Sequence, residues 1–236
     1  AYTFASDITV NGVTVGKGAN AVATNTVLGV DALDAAVTGA NNVAIGVNAL
    51  TANTSGAANT AVGSGALDTN ITGANNTAVG YLALEANTTG TENVAIGRLA
   101  LDANTTASDN TAIGNASMSS NITGAGNTAI GSGSLLANTT ASNNTAVGKD
   151  ALIANTTGAE NTALGYVALQ DNTTGVNNVA LGRAAIGNNI DGNNNSAVGH
   201  NALRLNTTGD NNVAVGISAL YNNTADNNTA VGGSAL

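Results

Sequence analysis

The chain of 236 residues carries a net charge of −9, because 14 acidic residues outweigh only five Lys and Arg, and it contains no cysteine. So few cations argue against a nucleic-acid partner, whose phosphates require clustered positive charge. The absence of cysteine excludes disulfides and thiolate metal sites, and no apolar run approaches the roughly 20 residues of a membrane span, so we expect no membrane insertion.

The N-terminal segment, residues 1–24, stands outside the pattern that fills the rest of the chain. It includes two tripeptides of alternating character, Ile8–Val10 and Val13–Val15, joined by Asn11-Gly12. Such an arrangement is a strong β-hairpin signal. We expect residues 1–24 to form a hairpin that caps the first repeat or attaches the chain to another protein, and residues 25–236 to form a repeat domain.

From residue 25 onward the phrase Asn-Thr-Ala-Val-Gly-x-x-Ala-Leu-x-x-Asn-Thr-Thr-Gly-x-x recurs, and its first glycine keeps a 17-residue period from Gly29 to Gly216 and returns, one residue early, at Gly232. A fixed period of this length is the signature of a solenoid, in which each repeat is one coil stacked on the next. Disorder would suit the composition but does not require apolar residues in register. The sequence therefore predicts an all-β fold, a parallel β-solenoid (β-roll or β-helix) of thirteen 17-residue coils.

Two columns of the repeat are aliphatic, one directly before each glycine and one four residues after it. We expect both columns to form the core. Their representatives are Ile45, Leu50, Val79, Leu84, Ile96 and Leu101. The x-x-Ala-Leu portion is either a second short strand or a helical turn.

Within the strand, Ala44 and its equivalents face away from the aliphatic column, and their uniformly small size predicts a close contact. Two large aliphatic side chains per coil are few against the entropy cost of ordering a whole repeat. We therefore expect three chains to pack around a common axis through the alanine column, which gives a homotrimer.

Two more columns are asparagine, one at positions equivalent to Asn42 and one at positions equivalent to Asn53. Amides in register predict hydrogen-bond ladders between coils. The many Asn-x-Thr triplets, such as Asn87-Thr88-Thr89, also match the N-glycosylation acceptor pattern. We favour the ladder, because it explains asparagine where the triplet fails as well.

The residue directly after each glycine varies freely in size and charge, which predicts that it points outward. This column holds two of the four tyrosines, three of the five cations and the one histidine. The candidate surface contacts are Tyr81, Arg98, Lys149, Tyr166, Arg183 and His200. A stripe of Tyr and Arg suits a glycan or another surface, although a solvated face is the simpler interpretation. Because the sequence has no nucleophile motif, phosphate loop or metal-ligand cluster, we expect no enzyme, no cofactor and no metal.

The segment Asn76–Leu84, followed by Asn87–Gly90, resembles the repeats of bacteriophage tail-fibre and related virion proteins, and Asp7–Gly18 resembles the stretch that precedes such repeats. Asn42–Gly46 is also similar to the heads of trimeric autotransporter adhesins, whose repeat is shorter. The resemblance implies a rigid, non-enzymatic homotrimeric shaft or adhesin of a virion, which contacts other virion or surface proteins through its N-terminal segment and recognises a host surface, including a surface glycan.

Two alternatives remain open. The first is a bacterial extracellular filament or surface adhesin. The second is an ice-binding solenoid, which the sequence suggests through a regular threonine column that valine interrupts in four repeats. The threonines of that column are Thr26, Thr60, Thr77, Thr111, Thr128, Thr145 and Thr162.

Overall fold

The computed structural model describes residues 7–236, which fall into two compact units, the first ending at Asn110 and the second spanning Thr111–Leu236. The strands of the first unit are β1 (Ile8–Val10), β2 (Val13–Gly16), β3 (Thr26–Gly29), β4 (Val43–Ile45), β5 (Thr60–Val62), β6 (Thr77–Val79) and β7 (Val94–Ile96), with a short 3-10 helix at Ala19–Ala21. The strands of the second are β8 (Thr111–Ile113), β9 (Thr128–Ile130), β10 (Thr145–Val147), β11 (Thr162–Leu164), β12 (Val179–Leu181), β13 (Ser196–Val198), β14 (Val213–Val215) and β15 (Thr229–Val231).

The N-terminal segment forms the expected hairpin and covers the first repeat strand. Strands β1 and β2 pair in antiparallel fashion, and both turn residues, Asn11 and Gly12, have positive φ, at 50° and 83°, as the favoured two-residue hairpin turn requires. β2 in turn pairs antiparallel with β3. The Asp7 carboxylate accepts the backbone N–H groups of Lys17 and Gly18, each at 2.7 Å. Residues 1–6 of the predicted cap segment lie outside the described residues.

Repeat strands pair in parallel within each unit, and each residue lies opposite its equivalent in the next repeat. In the first unit Ala61 pairs with Ala78, and in the second Ala146 pairs with Ala163. No α-helix occurs in residues 7–236. The prediction of an all-β parallel solenoid with 17-residue coils is confirmed. Thirteen repeat strands, β3 to β15, give about twelve full turns rather than thirteen, because the last repeat begins at Asn228 and the sequence ends at Leu236.

The x-x-Ala-Leu portion is neither a strand nor a helical turn. It is an irregular turn in which two residues take the left-handed conformation, for example Leu82 and Leu84 at φ values of 53° and 54°. Leucine rarely adopts this conformation. Here the turn is held because the backbone N–H of Leu84 donates to the carbonyl of Ala100 in the next coil at 3.0 Å, while the leucine side chain is fully buried.

The coil interior contains the alanines of the strand together with the Ala-Leu pair of the turn. Ala78, Ala83 and Leu84 are each 0 % exposed, as are Leu50 and Leu101. Burying one such leucine contributes about 1.5–3 kcal/mol. The coil is narrow, and the inner face of the strand opposite the leucine carries an alanine in β4 to β15 and the buried Val27 in β3. The uniform size of the alanine column therefore reflects packing within one chain.

Two expectations from the sequence are wrong in consequence. Ile45 and Val79 are only half-buried and Ile96 is 37 % exposed, so the aliphatic column before the glycine lies outside the core. Side chains alternate across a strand, and the alanine occupies the inward position. For the same reason the alanine column, buried inside its own coil, cannot provide the predicted contact between three chains.

The predicted asparagine ladders are confirmed in both columns. The backbone N–H of Asn76 donates to Asn59 Oδ1 at 3.0 Å, and its Nδ2 donates to the Gly90 carbonyl at 2.9 Å. Asn87 Nδ2 donates to the same carbonyl at 3.0 Å and to Asn70 Oδ1 at 2.8 Å. Except for the half-buried Asn223 and Asn228, both columns are buried, so their amides satisfy backbone groups that would otherwise be orphaned. The Asn87 amide is therefore occupied and inaccessible to glycosylation in the folded coil.

Candidate functional site

The glycine that ends each repeat strand determines where the next side chain points. Gly80 has φ of 141°, a conformation that side chains with a Cβ rarely adopt, and a Cβ there would collide with the carbonyl of Gly97 in the next coil. The chain leaves the strand abruptly at this point. The following residue, Tyr81, is consequently turned outward and is 52 % exposed.

All six candidate contact residues are exposed, as the variable column predicts. Tyr166 is 46 % exposed, and Arg98, Lys149, Arg183 and His200 are also exposed. Tyr81 and Arg98 occupy consecutive coils of the first unit, while the other four occupy consecutive coils of the second.

The structure brings the four residues of the second unit into contact, and we call Lys149, Tyr166, Arg183 and His200 the cationic stripe. Lys149 Nζ lies over the Tyr166 ring at 5.8 Å from the centroid, and Arg183 Cζ lies over the same ring, also at 5.8 Å. Both distances suit cation–π attraction. Arg183 Nη1 donates to His200 Nε2 at 2.8 Å, because a guanidinium offers only donors.

Electrostatically, the cationic stripe is a local exception on an acidic chain. Within residues 7–236 the one salt bridge joins Lys149 Nζ to Asp150 Oδ2 at 3.4 Å, and it leaves the lysine side chain 62 % exposed. Arg183 has no carboxylate partner in that part of the chain. Its side chain is exposed, so its remaining N–H donors are accessible to solvent.

A second surface, which the sequence analysis missed, lies on the outer face of the repeat sheet. We call the aliphatic residues directly before the repeat glycines the outer column. Leu164 is 50 % exposed, Val198 41 % and Val215 38 %. The neighbouring outward position carries Thr, Val or Ser in every repeat. The signal that could have revealed it is the alanine beside it, which recurs in every repeat from β4 onward, because only the inner position of a narrow coil demands a small residue.

One titratable group outside these surfaces is perturbed. Burial raises the pKa of Asp102 above its ordinary value of 3.8, and the nearby Glu85 carboxylate acts in the same direction, while a backbone hydrogen bond and Arg98 lower it. Asp102 Oδ1 has no hydrogen-bond partner. Burial is the largest cause of the shift, so the perturbation is that of a partly buried surface acid.

An open cleft of about 420 Å³ lies between the hairpin and the first coil and is lined by Asp7, Asp31 and Asp34 among others. Both oxygens of Asp7 already accept backbone N–H groups. Across residues 7–236, no three acidic or histidine side chains converge to hold a metal ion. The same residues contain no helix long and apolar enough to cross a membrane.

Comparison of the chain with family models, with curated proteins and with solved structures finds no match.

Proposed function

We propose that this chain is a structural fibre protein, a rigid homotrimeric shaft or adhesin of a virion tail or fibre, that associates through the outer column and presents surface side chains for recognition. The observation that supports the proposal is a row of exposed aliphatic side chains on the outer face of the repeat strands within each unit. A structural role agrees with a fold in which each coil repeats the same type of buried contact, and in which the buried positions vary little in character.

The outer column has the character of a self-association surface. In the second unit it comprises eight aliphatic side chains, which expose on the order of 400 Å² together, within the range at which apolar patches mark interaction sites. No charged residue occurs in the outer column or in the Thr, Val or Ser column beside it. An uncharged apolar centre is typical of permanent interfaces. The members in the second unit are Ile113, Ile130, Val147, Leu164, Leu181, Val198, Val215 and Val231.

The number of copies comes from the resemblance rather than from this surface. Identical strips on several chains can meet at a rotation axis, and with three copies the contacts are heterologous and close into a ring. Three copies is the number implied by similarity to trimeric adhesin heads. Placement on a virion, or alternatively on the outside of a cell, and contact with other virion or surface proteins through the N-terminal segment, are likewise parts of the proposal that depend on the resemblance.

Charge substitution tests the self-association surface with a matched control. Leu164 lies in the outer column and is 50 % exposed, whereas Ile190 is 46 % exposed but lies outside that column. We expect Leu164→Asp to dissociate the oligomer in sedimentation velocity, because a charge buried at an apolar interface is costly. Ile190→Asp should leave the wild-type sedimentation coefficient unchanged. Equal behaviour of the two variants would contradict the proposed interface.

Ice binding is the second candidate, because the threonine column lies outward beside the outer column. Thr77, for example, is half-buried on the same face of β6 as Val79. Rows of Thr and aliphatic residues repeat at the coil spacing of about 4.8 Å. Thermal hysteresis of a monomeric sample would favour this function over the fibre, and its absence would remove it. A purified sample that forms long filaments by itself would instead favour a bacterial extracellular filament.

A further inference from the structure

The cationic stripe is a row of side chains that contact one another along three successive coil steps. Neighbouring coils are separated by about 4.8 Å, so Lys149 and Arg183 project from backbone positions roughly 10 Å apart. Tyr166 stands between them with a cation over its ring from the coil on each side. The row is therefore preorganised, and a ligand meets an ammonium, a phenol, a guanidinium and an imidazole in a fixed order.

This arrangement has no evident role in stabilising the fold. All four side chains are exposed, and the coil beneath them is held by the same buried Ala, Leu and Asn as every other coil. Exposed ion pairs and exposed cation–π contacts contribute little to the free energy of unfolding. Lys149 shares its charge with Asp150, whereas Arg183 has no carboxylate partner within residues 7–236, so the stripe keeps a local positive charge to which an anion is attracted, in a chain of net charge −9.

We propose that the cationic stripe binds a carboxylate-bearing polysaccharide, and the proposal rests on the surface-recognition part of the function proposed above. The Arg183 guanidinium retains free donors in the planar fork that pairs with carboxylates in a bidentate manner. The Tyr166 hydroxyl and the His200 imidazole offer hydrogen bonds suited to sugar hydroxyls. The coil step is close to the length of one pyranose unit, so successive sugars of an extended chain meet successive coils.

Nucleic acid fits the same stripe poorly. Single-stranded binders stack bases on exposed aromatic faces, but two cations, one from each neighbouring coil, already lie over the Tyr166 ring. A phosphodiester backbone carries one charge per nucleotide and requires several clustered cations. The stripe supplies only Lys149 and Arg183, and Lys149 already forms a salt bridge with Asp150. A glycan of lower charge density, with neutral hydroxyls between its carboxylates, matches the alternation of charged and polar groups.

Calorimetric titration of the full chain with short hyaluronan oligosaccharides, in which every second sugar carries a carboxylate, tests the proposal. The fully methyl-esterified oligomer is the ligand control, because it keeps the sugars and removes the charges. Lys149→Gln and Lys17→Gln form a matched protein pair, since both remove one exposed lysine charge but Lys17 lies outside the stripe. Arg183→Gln removes the guanidinium fork itself.

We expect binding of the free acid that weakens with added salt and is absent for the methyl ester. Lys149→Gln should weaken binding about threefold and Arg183→Gln about tenfold, while Lys17→Gln should bind as the wild type does. Equal losses in the two lysine variants, binding of the ester, or tighter binding of a single-stranded DNA of matched charge would overturn the proposal. Sedimentation of the same samples separates the proposals, because an intact trimer without binding refutes only the glycan site.

Discussion

Removing one amide from the buried ladder should have very different effects in two adjacent coils. Asn161 Oδ1 accepts the backbone N–H and Nδ2 of Asn178 at 3.0 and 3.2 Å, and its own Nδ2 donates to the Gly175 carbonyl at 2.8 Å. Asn144 Oδ1 accepts the Asn161 backbone N–H at 2.9 Å, but its Nδ2 is buried without a partner. Both side chains are 0 % exposed.

The magnitudes follow from these contacts. Asn161→Ala leaves one buried backbone N–H unpaired, which costs about 1–3 kcal/mol, and removes two further side-chain hydrogen bonds of about 1 kcal/mol each. The expected loss is about 3–5 kcal/mol. Asn144→Ala also orphans one N–H, but it removes a buried amide group that is already unpaired and costs about 1–3 kcal/mol. Its expected loss is therefore about 0–2 kcal/mol.

Urea unfolding monitored by circular dichroism measures the difference. With a urea dependence near 3 kcal/mol per molar, as expected for a chain of this size, the midpoint of Asn161→Ala should lie about 1 M below that of Asn144→Ala. Asn144 and Asn161 occupy the same position in adjacent repeats, so the effects of backbone propensity and of burial cancel when the two variants are compared. Equal midpoints, or a lower midpoint for Asn144→Ala, would refute the reasoning that the ladder contributes through specific hydrogen bonds.

Four further variants test the coil interior, two turn glycines and one partly buried acid. Ala78→Val should cost about 1–3 kcal/mol by overpacking, and an unchanged urea midpoint would show that this alanine does not face the core. Gly80→Ala should cost at least about 3 kcal/mol, from backbone strain and a collision with the next coil, whereas Gly126→Asn should be nearly neutral, because its φ of 67° suits asparagine. Because burial raises the pKa of Asp102 above 3.8, the folded chain holds the proton more tightly than the unfolded chain, and stability is lost as pH rises above that value. Asp102→Asn should accordingly raise the urea midpoint at pH 7 and raise it less below pH 3.8, and a gain independent of pH would contradict this origin.

The fold was accessible from the sequence because its strongest signal is periodic. A 17-residue period that keeps apolar and amide positions in register has few solutions other than stacked coils, and Asn11-Gly12 between alternating tripeptides encodes its hairpin locally. The asparagine ladders could be predicted for the same reason. Identical residues one coil apart must lie beside each other in a parallel sheet.

Hydrophobicity alone could not show which of the two faces of each strand is buried. Val79 is the larger apolar residue and Ala78 the smaller, yet the alanine is buried and the valine is on the outer face. The width of the coil decides which face of the strand is buried, and that width depends on the turn that follows the strand. In that turn Leu84 adopts a left-handed conformation, and its position carries no glycine that would indicate this in the sequence. The sequence therefore led to two wrong predictions: that the outer column lies in the core, and that the alanines form the interface between chains.

The candidate contact residues were predicted as a column, but their contacts were not. Variation after each glycine shows that the position is unconstrained, whereas the approach of Lys149 and Arg183 to one ring depends on rotamers. The hydrogen bond between Arg183 and His200 likewise requires the structure. The sequence thus identified where recognition is expected, and the structure identified which four residues can act together.

The outer column is the central claim, and the native mass of the intact chain tests it most directly. Sedimentation equilibrium or native mass spectrometry at micromolar concentration should give three times the chain mass of 22.7 kDa. A trimer that Leu164→Asp dissociates and Ile190→Asp preserves is the predicted result. A stable monomer at the same concentration would contradict the account, because the exposed aliphatic row would then be tolerated in solution without a second copy to cover it.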